Sequence, residues 1–279
     1  MYIKCWGSRG SIAVAGQEYN RYGGETTCIQ IQAQSGETVI IDAGTGLRKL
    51  GLDLPVNSNT HYYMLFTHTH WDHISGFPFF KPLQDSSVTL TIYNSSFYTL
   101  SVKEIISNIM APPFFPITMK EMQANVIYEE NIKTSFSIGS LDITTIPLSH
   151  PGGGFGYRFS ENGKVFVFLT DNELTFNHPG GRTIEEYTEF CKNADLVFHD
   201  MEFTPEEYPA KINWGHSCCT DVLELAMNAN VKKLGLFHIN QERTDDAMDK
   251  MVDMCQDIVI KKSSTMTCIG VACDMEINI

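Results

Sequence analysis

The chain has 279 residues, 43% of them hydrophobic, enough to bury one large core or two modest ones. No uninterrupted apolar run reaches the roughly 20 residues that a membrane helix needs, so no membrane partner is expected. The formal net charge is −13, and Lys and Arg group no more tightly than in pairs such as Lys232-Lys233 and Lys261-Lys262; gripping a long polyanion usually takes a basic face, so nucleic acid is the less expected partner.

Residues 1–6 carry no signal-peptide pattern and read as the first strand. The eight cysteines form no C-x-x-C pair, which suits reduced thiols in a cytoplasm better than a disulfide framework. Adjacent Cys218 and Cys219 default to buried small hydrophobes. Gly7-Ser8-Arg9-Gly10-Ser11 follows, a tight turn. Its N–H groups and Arg9 can also face an anionic substrate, although arginine pairs with structural carboxylates as well. Residues 28–32 and 38–41 read as a hairpin around Ser35-Gly36-Glu37. Asp42-Ala43-Gly44-Thr45-Gly46 closes it, with a helix beginning at 47–50 that Asp42 can cap.

The apolar run Tyr62-Tyr63-Met64-Leu65-Phe66 predicts a buried strand, and Thr67-His68-Thr69-His70-Trp71-Asp72-His73 continues it. Three imidazoles and a carboxylate within six residues exceed what a folding core needs, and buried imidazoles usually serve as ligands or switches. In an extended backbone His68 and His70 point to one face. Asp72 and His73 follow where the chain turns away and can serve a second ion, so the stretch reads as a metal-binding loop. A short helix opens 74–80, a strand spans 88–93 and a helix 101–110. Met110-Ala111-Pro112-Pro113-Phe114-Phe115-Pro116-Ile117 cannot form a regular helix interior. Residues 108–120 are therefore a candidate lid or dimerisation loop, or pack on their own domain.

A strand at 141–148 leads to His150 and Gly152-Gly153-Gly154, where missing side chains leave room for a base or sugar. A strand at 155–159 then turns at Asn162-Gly163 into 164–169, which ends at Asp171. Another buried strand over 194–203 has the polar exit His199-Asp200-Met201-Glu202, and Trp214-Gly215-His216-Ser217 follows. The tail holds a helix starting within 217–228, a strand to His238, a polar helix over 244–257 and a closing strand near 266–275. His61 and His178 read as surface or loop residues, and His199 has no assigned role.

His68-x-His70-x-Asp72-His73 resembles the signature of the metallo-β-lactamase superfamily, mostly hydrolases with an α/β, four-layer αββα sandwich. The resemblance covers nearly the whole chain and implies one domain over 1–279. It also implies two divalent ions: His68, His70 and His150 on one, Asp72, His73 and His238 on the other, Asp171 bridging. Asp42 would orient a ligand imidazole from the second shell. Such a donor set suits zinc first, with manganese or iron compatible.

The order of the pieces resembles the phosphodiesterase branch, which includes ribonuclease Z, cyclic-nucleotide phosphodiesterases and the phosphonate-pathway cyclic phosphodiesterase. There a Gly-His-Ser segment contacts phosphate and serves the leaving group, matched here by Gly215-His216-Ser217. The ribonuclease's His-Glu-Ala-Thr element is matched only in part by 199–202. The implied catalytic residues are Asp72, orienting the attacking hydroxide, and His216, stabilising a phosphoryl oxygen or protonating the departing ribose oxygen. Candidate substrate contacts are Arg9, Gly153, Gly154, Phe114, Phe115 and Ser217, and relatives with a similar aromatic loop suggest a homodimer.

The resulting expectation is hydrolysis of a small cyclic phosphodiester, foremost a 3′,5′-cyclic nucleotide to the nucleoside monophosphate. One alternative is a ribonuclease Z-like tRNA 3′-processing endonuclease, which predicts a basic exosite arm; the sequence has no Gly/Lys/Arg-rich insertion to form it. Another is a non-catalytic nucleotide-binding relative, against which the full ligand set argues. Lactamase or thioesterase activity fits less well, because the Gly-His-Ser element points to phosphate.

Overall fold

Alternation along single strands sets up the layers. In the computed structural model, β3 (Thr38–Ile41) is buried along its whole length, and successive side chains leave opposite faces. Val39 and Ile41 pack between two sheets, whereas Ile40 packs outward beneath helices. In β12 (Lys164–Leu169), Phe166 and Phe168 likewise point inward, Val167 and Leu169 outward. Strands covered on both faces read as continuous apolar runs, as these do. Two sheets separating three cores give the expected αββα sandwich.

The structure describes residues 1–55, 60–94, 96, 97, 100–130 and 133–279. One sheet contains β1 (Tyr2–Gly7), β2 (Cys28–Gln32), β3, β4 (Thr60–Leu65), β5 (Val88–Asn94), β8 (Asn125–Glu130) and β16 (Glu276–Asn278), ordered β16-β1-β2-β3-β4-β5-β8. The other contains β9 (Ser135–Ile138), β10 (Leu141–Pro147), β11 (Phe155–Glu161), β12, β13 (Leu196–Asp200), β14 (Lys233–Phe237) and β15 (Thr267–Gly270), ordered β15-β14-β13-β12-β11-β10-β9. A small hairpin joins β6 (Ser96–Phe97) to β7 (Leu100–Ser101). Leu47 and Leu50 of α1 (Gly46–Asp53) and Val102 and Ile106 of α3 (Val102–Ile109) cover the first sheet. Tyr187 of α4 (Ile184–Phe190), Val222 of α5 (Cys219–Asn228) and Met251 of α6 (Asp245–Lys261) cover the second. A single turn, α2 (Trp71–Ile74), lies within the histidine motif.

The sequence reading has no element for β8, β9 or α4. Both strands are sheet edges, and α4 buries only Tyr187, so none carries enough apolar positions to set a period. None of the eight cysteines is paired. Among the described residues, no helix is long and apolar enough to cross a membrane. Strands β3 to β5 run parallel to one another, as do β12 to β15, so the two sheets collect carboxyl ends where open α/β folds place their ligands.

Candidate metal centre

Three of those strand ends finish in an unusual backbone conformation. Asp42 after β3, Asp171 after β12 and His238 after β14 have φ of 62°, 55° and 52°. A left-handed residue other than glycine costs about 1–3 kcal/mol and persists where its surroundings over-determine it, typically at functional sites. His68 follows β4 and His150 follows β10, so five polar side chains leave five strand ends for one region.

The candidate ligands meet as two groups. Ligand atoms of His68, His70, His150 and Asp171 lie within 4.8 Å of one another, as do those of Asp72, His73, Asp171 and His238. Asp171 belongs to both: its Oδ2 is 3.5 Å from His68 Nε2 and 3.3 Å from His238 Nε2, and its Oδ1 is 3.3 Å from His73 Nε2. Asp72 Oδ2 lies 3.3 Å from His73 Nε2 and 3.2 Å from His238 Nε2. Of the seven, only His70 is exposed.

This arrangement fits divalent cations. His68 Nε2 and His73 Nε2 are buried with no hydrogen-bond partner, each at a cost of about 1–3 kcal/mol that a cation would relieve. Burial, with His73 nearby, holds His68 well below its usual pKa, and burial pushes His150 down to about 3, leaving neutral imidazoles with free lone pairs. Burial would raise Asp171, but His238, His73 and His68 hold it well below the usual carboxylate range; His73 and His238 do the same to Asp72. Conversely, burial would lower His73 and His238, yet the surrounding carboxylates hold both well above the usual value. The negative field that retains a proton there favours a divalent cation in its place.

Each inner imidazole is aimed from behind. His73 Nδ1 donates to Asp42 Oδ2 at 2.8 Å, and Asp42 also accepts from Thr67 N and Thr67 Oγ1, both at 2.7 Å. Asp42 thus stands behind a ligand, as expected, while the N-cap of α1 is Thr45. His150 Nδ1 donates to the Gly215 carbonyl at 2.9 Å, and His238 Nδ1 to Glu202 Oε2 at 3.0 Å. Glu202 has no role in the sequence reading beyond the partial match at 199–202, and its only signal was the polar exit of β13.

His216 is buried, with Nδ1 3.1 Å from Asp200 Oδ2 and 3.5 Å from Glu202 Oε2, and its ring stacks on His238 at 4.6 Å. Burial alone would lower it; Glu202 and Asp200 outweigh that and hold it at about 9. The two carboxylates thus favour the protonated form of an imidazole that lies beside the candidate ligand His238.

Several expected substrate contacts are corrected. Arg9 is fully buried and donates to the carbonyls of Gly23, Asn240 and Arg243, so it ties loops together and faces no anion. Ser217 is buried: its hydroxyl donates to Asn172 O at 2.5 Å and accepts from Leu174 N at 3.1 Å. Gly154 packs where a Cβ would lie 3.1 Å from Thr67 O, whereas Gly153 borders open space. Both line a cleft of about 180 Å³ with Leu148, Gly152, Phe155 and Pro179. Phe115 packs on its own domain, edge-on to Phe79 at 5.7 Å, and leaves Phe114 72% exposed. His178, expected at the surface or in a loop, lies in a loop but is buried because the 172–181 turn folds back, and its Nε2 donates to Glu173 Oε2 at 2.9 Å. His61 is exposed as expected, and His199 is buried with Nδ1 donating to Asp200 O at 2.7 Å.

A family model described as a beta-lactamase superfamily domain matches residues 37–239. The chain belongs to this superfamily. It is 24% identical to a ribonuclease Z of Prochlorococcus marinus (strain MIT 9515), over 78% of this chain and 83% of that protein. The fold matches the short form of human tRNase Z with a TM-score of 0.70 at 16% identity, covering 100% and 99% of the two chains. It matches unliganded yeast PDE1 with a TM-score of 0.68 at 13% identity, covering 100% and 99%. Membership in the superfamily places the chain among metal-dependent hydrolases, in agreement with its His/Asp centre.

Proposed function

We propose that the protein is a dinuclear-metal phosphodiesterase that opens a small cyclic phosphodiester, foremost a 3′,5′-cyclic nucleotide, to the nucleoside monophosphate. The observation that carries this reading is His216, set 3.1 Å from Asp200 Oδ2 and 3.5 Å from Glu202 Oε2 and stacked on His238 at the edge of the candidate metal centre, where it can act as a proton donor. Divalent cations bound there, zinc first and manganese or iron compatible, would neutralise phosphoryl oxygens and acidify a water. Asp72, fixed by Ser11 N at 2.9 Å, orients the attacking water. As the bond from phosphorus to the ribose oxygen breaks, His216 gives that oxygen its proton, and the paired acids favour its reprotonation. A net charge of −13 and the cleft of about 180 Å³ lined by Gly152, Gly153 and Gly154 support a small substrate, with open space at Gly153.

The 24% identity to a ribonuclease Z favours a second reading, a tRNA 3′-processing endonuclease. A substrate panel separates the two. It contains 3′,5′-cyclic purine and pyrimidine nucleotides, a 2′,3′-cyclic nucleotide, bis-p-nitrophenyl phosphate and a tRNA precursor, with metal-loaded protein and His68→Ala as the blank. Turnover of a cyclic mononucleotide, lost in the blank, supports the first reading, and cleavage of the precursor alone replaces it. Nucleotide binding without turnover of any substrate would make the protein a sensor.

The proposal includes a homodimer in which exposed Phe114 and Ile117 meet a second copy. Sedimentation of the wild type at the monomer mass would remove it. Eight unpaired cysteines support a cytoplasmic location, which cell fractionation tests.

A further inference from the structure

Four hydrogen-bond donors from separate points of the chain converge on one buried carboxylate outside the ligand set. Glu173 Oε1 accepts from Tyr208 Oη at 2.8 Å and from Asn213 N at 2.9 Å. Its Oε2 accepts from Gly215 N at 2.7 Å and from His178 Nε2 at 2.9 Å. A carboxylate offers about four acceptor sites, and all are taken.

Gly215 is the consequential partner. Its φ is +91°, and a Cβ there would stand 2.2 Å from His150 Nδ1, so only glycine fits. Its N–H is held by Glu173 while its carbonyl accepts from His150 Nδ1 at 2.9 Å. On the other side of His216, Ser217 is fastened to Asn172 O and Leu174 N. The imidazole that faces the leaving group is thus bracketed by two residues bolted to 172–174, the segment that leaves the shared ligand Asp171. Glu173 also ties this segment to the ligand loop, its N–H donating to Ser149 O at 2.8 Å, next to His150.

We propose that Glu173 is a positioning residue: it holds segment 213–217 so that His150 is anchored through Gly215 and His216 is aimed at the departing oxygen. The His216 half rests on the reading of His216 as leaving-group acid; the His150 half does not. A ribose alkoxide needs that acid, whereas p-nitrophenolate leaves readily without a proton. Displacing His216 should therefore damage the two kinds of substrate unequally, which a general loosening of the fold would not do.

The test is Glu173→Gln, which keeps the shape but turns one accepting oxygen into an amide nitrogen, so two of the four donors lose their acceptor. At saturating metal, kcat on the cyclic nucleotide is expected to fall about 10–100-fold, while turnover of bis-p-nitrophenyl phosphate stays within about threefold. Metal titration, which needs no substrate, should show binding at one position weakened about tenfold as His150 loses its anchor. Equal losses on both substrates, or no loss, with unchanged metal affinity would overturn the proposal. His216→Gln is run alongside. If it shows no leaving-group selectivity, the acid reading fails, and Glu173 is judged on metal affinity alone, where an unchanged isotherm overturns it. Should Glu173→Gln fail to fold, Tyr208→Phe removes one donor, leaves the carboxylate, and is read by the same two criteria.

Discussion

The two walls of the centre are built in opposite ways. One takes four candidate ligands from the six residues between His68 and His73, closed by a single turn in which His73 N donates to His70 O at 3.0 Å and braced by Asp42. The other gathers His150, Asp171 and His238 from separate strand ends and His216 from the loop before α5, and steadies this wall with the buried acids Glu173, Asp200 and Glu202. The first wall is dense in sequence and serves mainly to hold cations. The second exists only once the sheets have assembled, and under the proposed function it would add proton transfer. Lesions in the two should therefore fail differently, by metal loss on one side and by loss of leaving-group chemistry on the other.

The largest effect is expected where the walls join. Asp171 is the one residue common to both ligand groups, so Asp171→Asn should remove bound metal and all measurable turnover. Metal stoichiometry by elemental analysis checks this, and a variant that retained two ions and activity would break the shared-ligand geometry. Next is His216→Gln, expected to cost about 10²–10⁴-fold on a cyclic nucleotide with metal content unchanged. Burial opposes its proton, but Glu202 and Asp200 prevail and hold it to about pH 9. Wild-type kcat should then be full below that pH and decline as pH rises through it, and the variant should lack this limb. A decline near pH 9 surviving in the variant would assign it to another group. Smaller again is Asp42→Asn, in which asparagine tolerates the φ of 62° while the charge behind His73 and one accepting oxygen are lost. Metal affinity should weaken about 10–100-fold, read by titration.

The same contrast explains what was legible in the sequence. Strands 38–41 and 164–169 stood out because both sheets are covered on both faces, giving nearly unbroken apolar runs between turn residues, and 28–32 by its alternation and the turn that follows it. The His68–His73 cluster was legible from its own density after the 62–66 run, whereas His150, Asp171 and His238, each after an apolar run, were assigned through the resemblance to the superfamily. Edge strands β8 and β9 lacked that signal. So did Glu173 and His178, which lie in a polar stretch that reads as loop until the 172–181 turn folds inward and buries both. Arg9 and Ser217 carried suitable groups in suitable places, but direction decides their roles, and spacing does not encode it.

Arg9 offers the smallest expected effect on catalysis and the sharpest separation of the two kinds of role. Its guanidinium donates to Gly23 O at 3.3 and 2.9 Å, to Asn240 O at 3.1 Å and to Arg243 O at 2.9 Å, satisfying loop carbonyls that no strand reaches. Arg9→Met keeps much of the side-chain bulk and leaves Gly23 O and Arg243 O without that donor, at about 1–3 kcal/mol each where water does not enter, while Asn240 O keeps its bond from Arg243 N at 2.9 Å. The midpoint of denaturant unfolding should fall accordingly, while KM for the phosphodiester stays within about twofold at a temperature where the variant is folded. A phosphate contact would give the reverse pattern, a raised KM with stability unchanged, because an exposed arginine costs little to remove while a lost charge-assisted bond weakens binding by about 1.5–3 kcal/mol. Asn240 links the outcome to the centre, since its Nδ2 donates to Glu202 Oε1 at 2.8 Å behind His238. Any loss of activity in Arg9→Met should therefore appear as weakened metal binding rather than as a raised KM, and metal titration distinguishes the two.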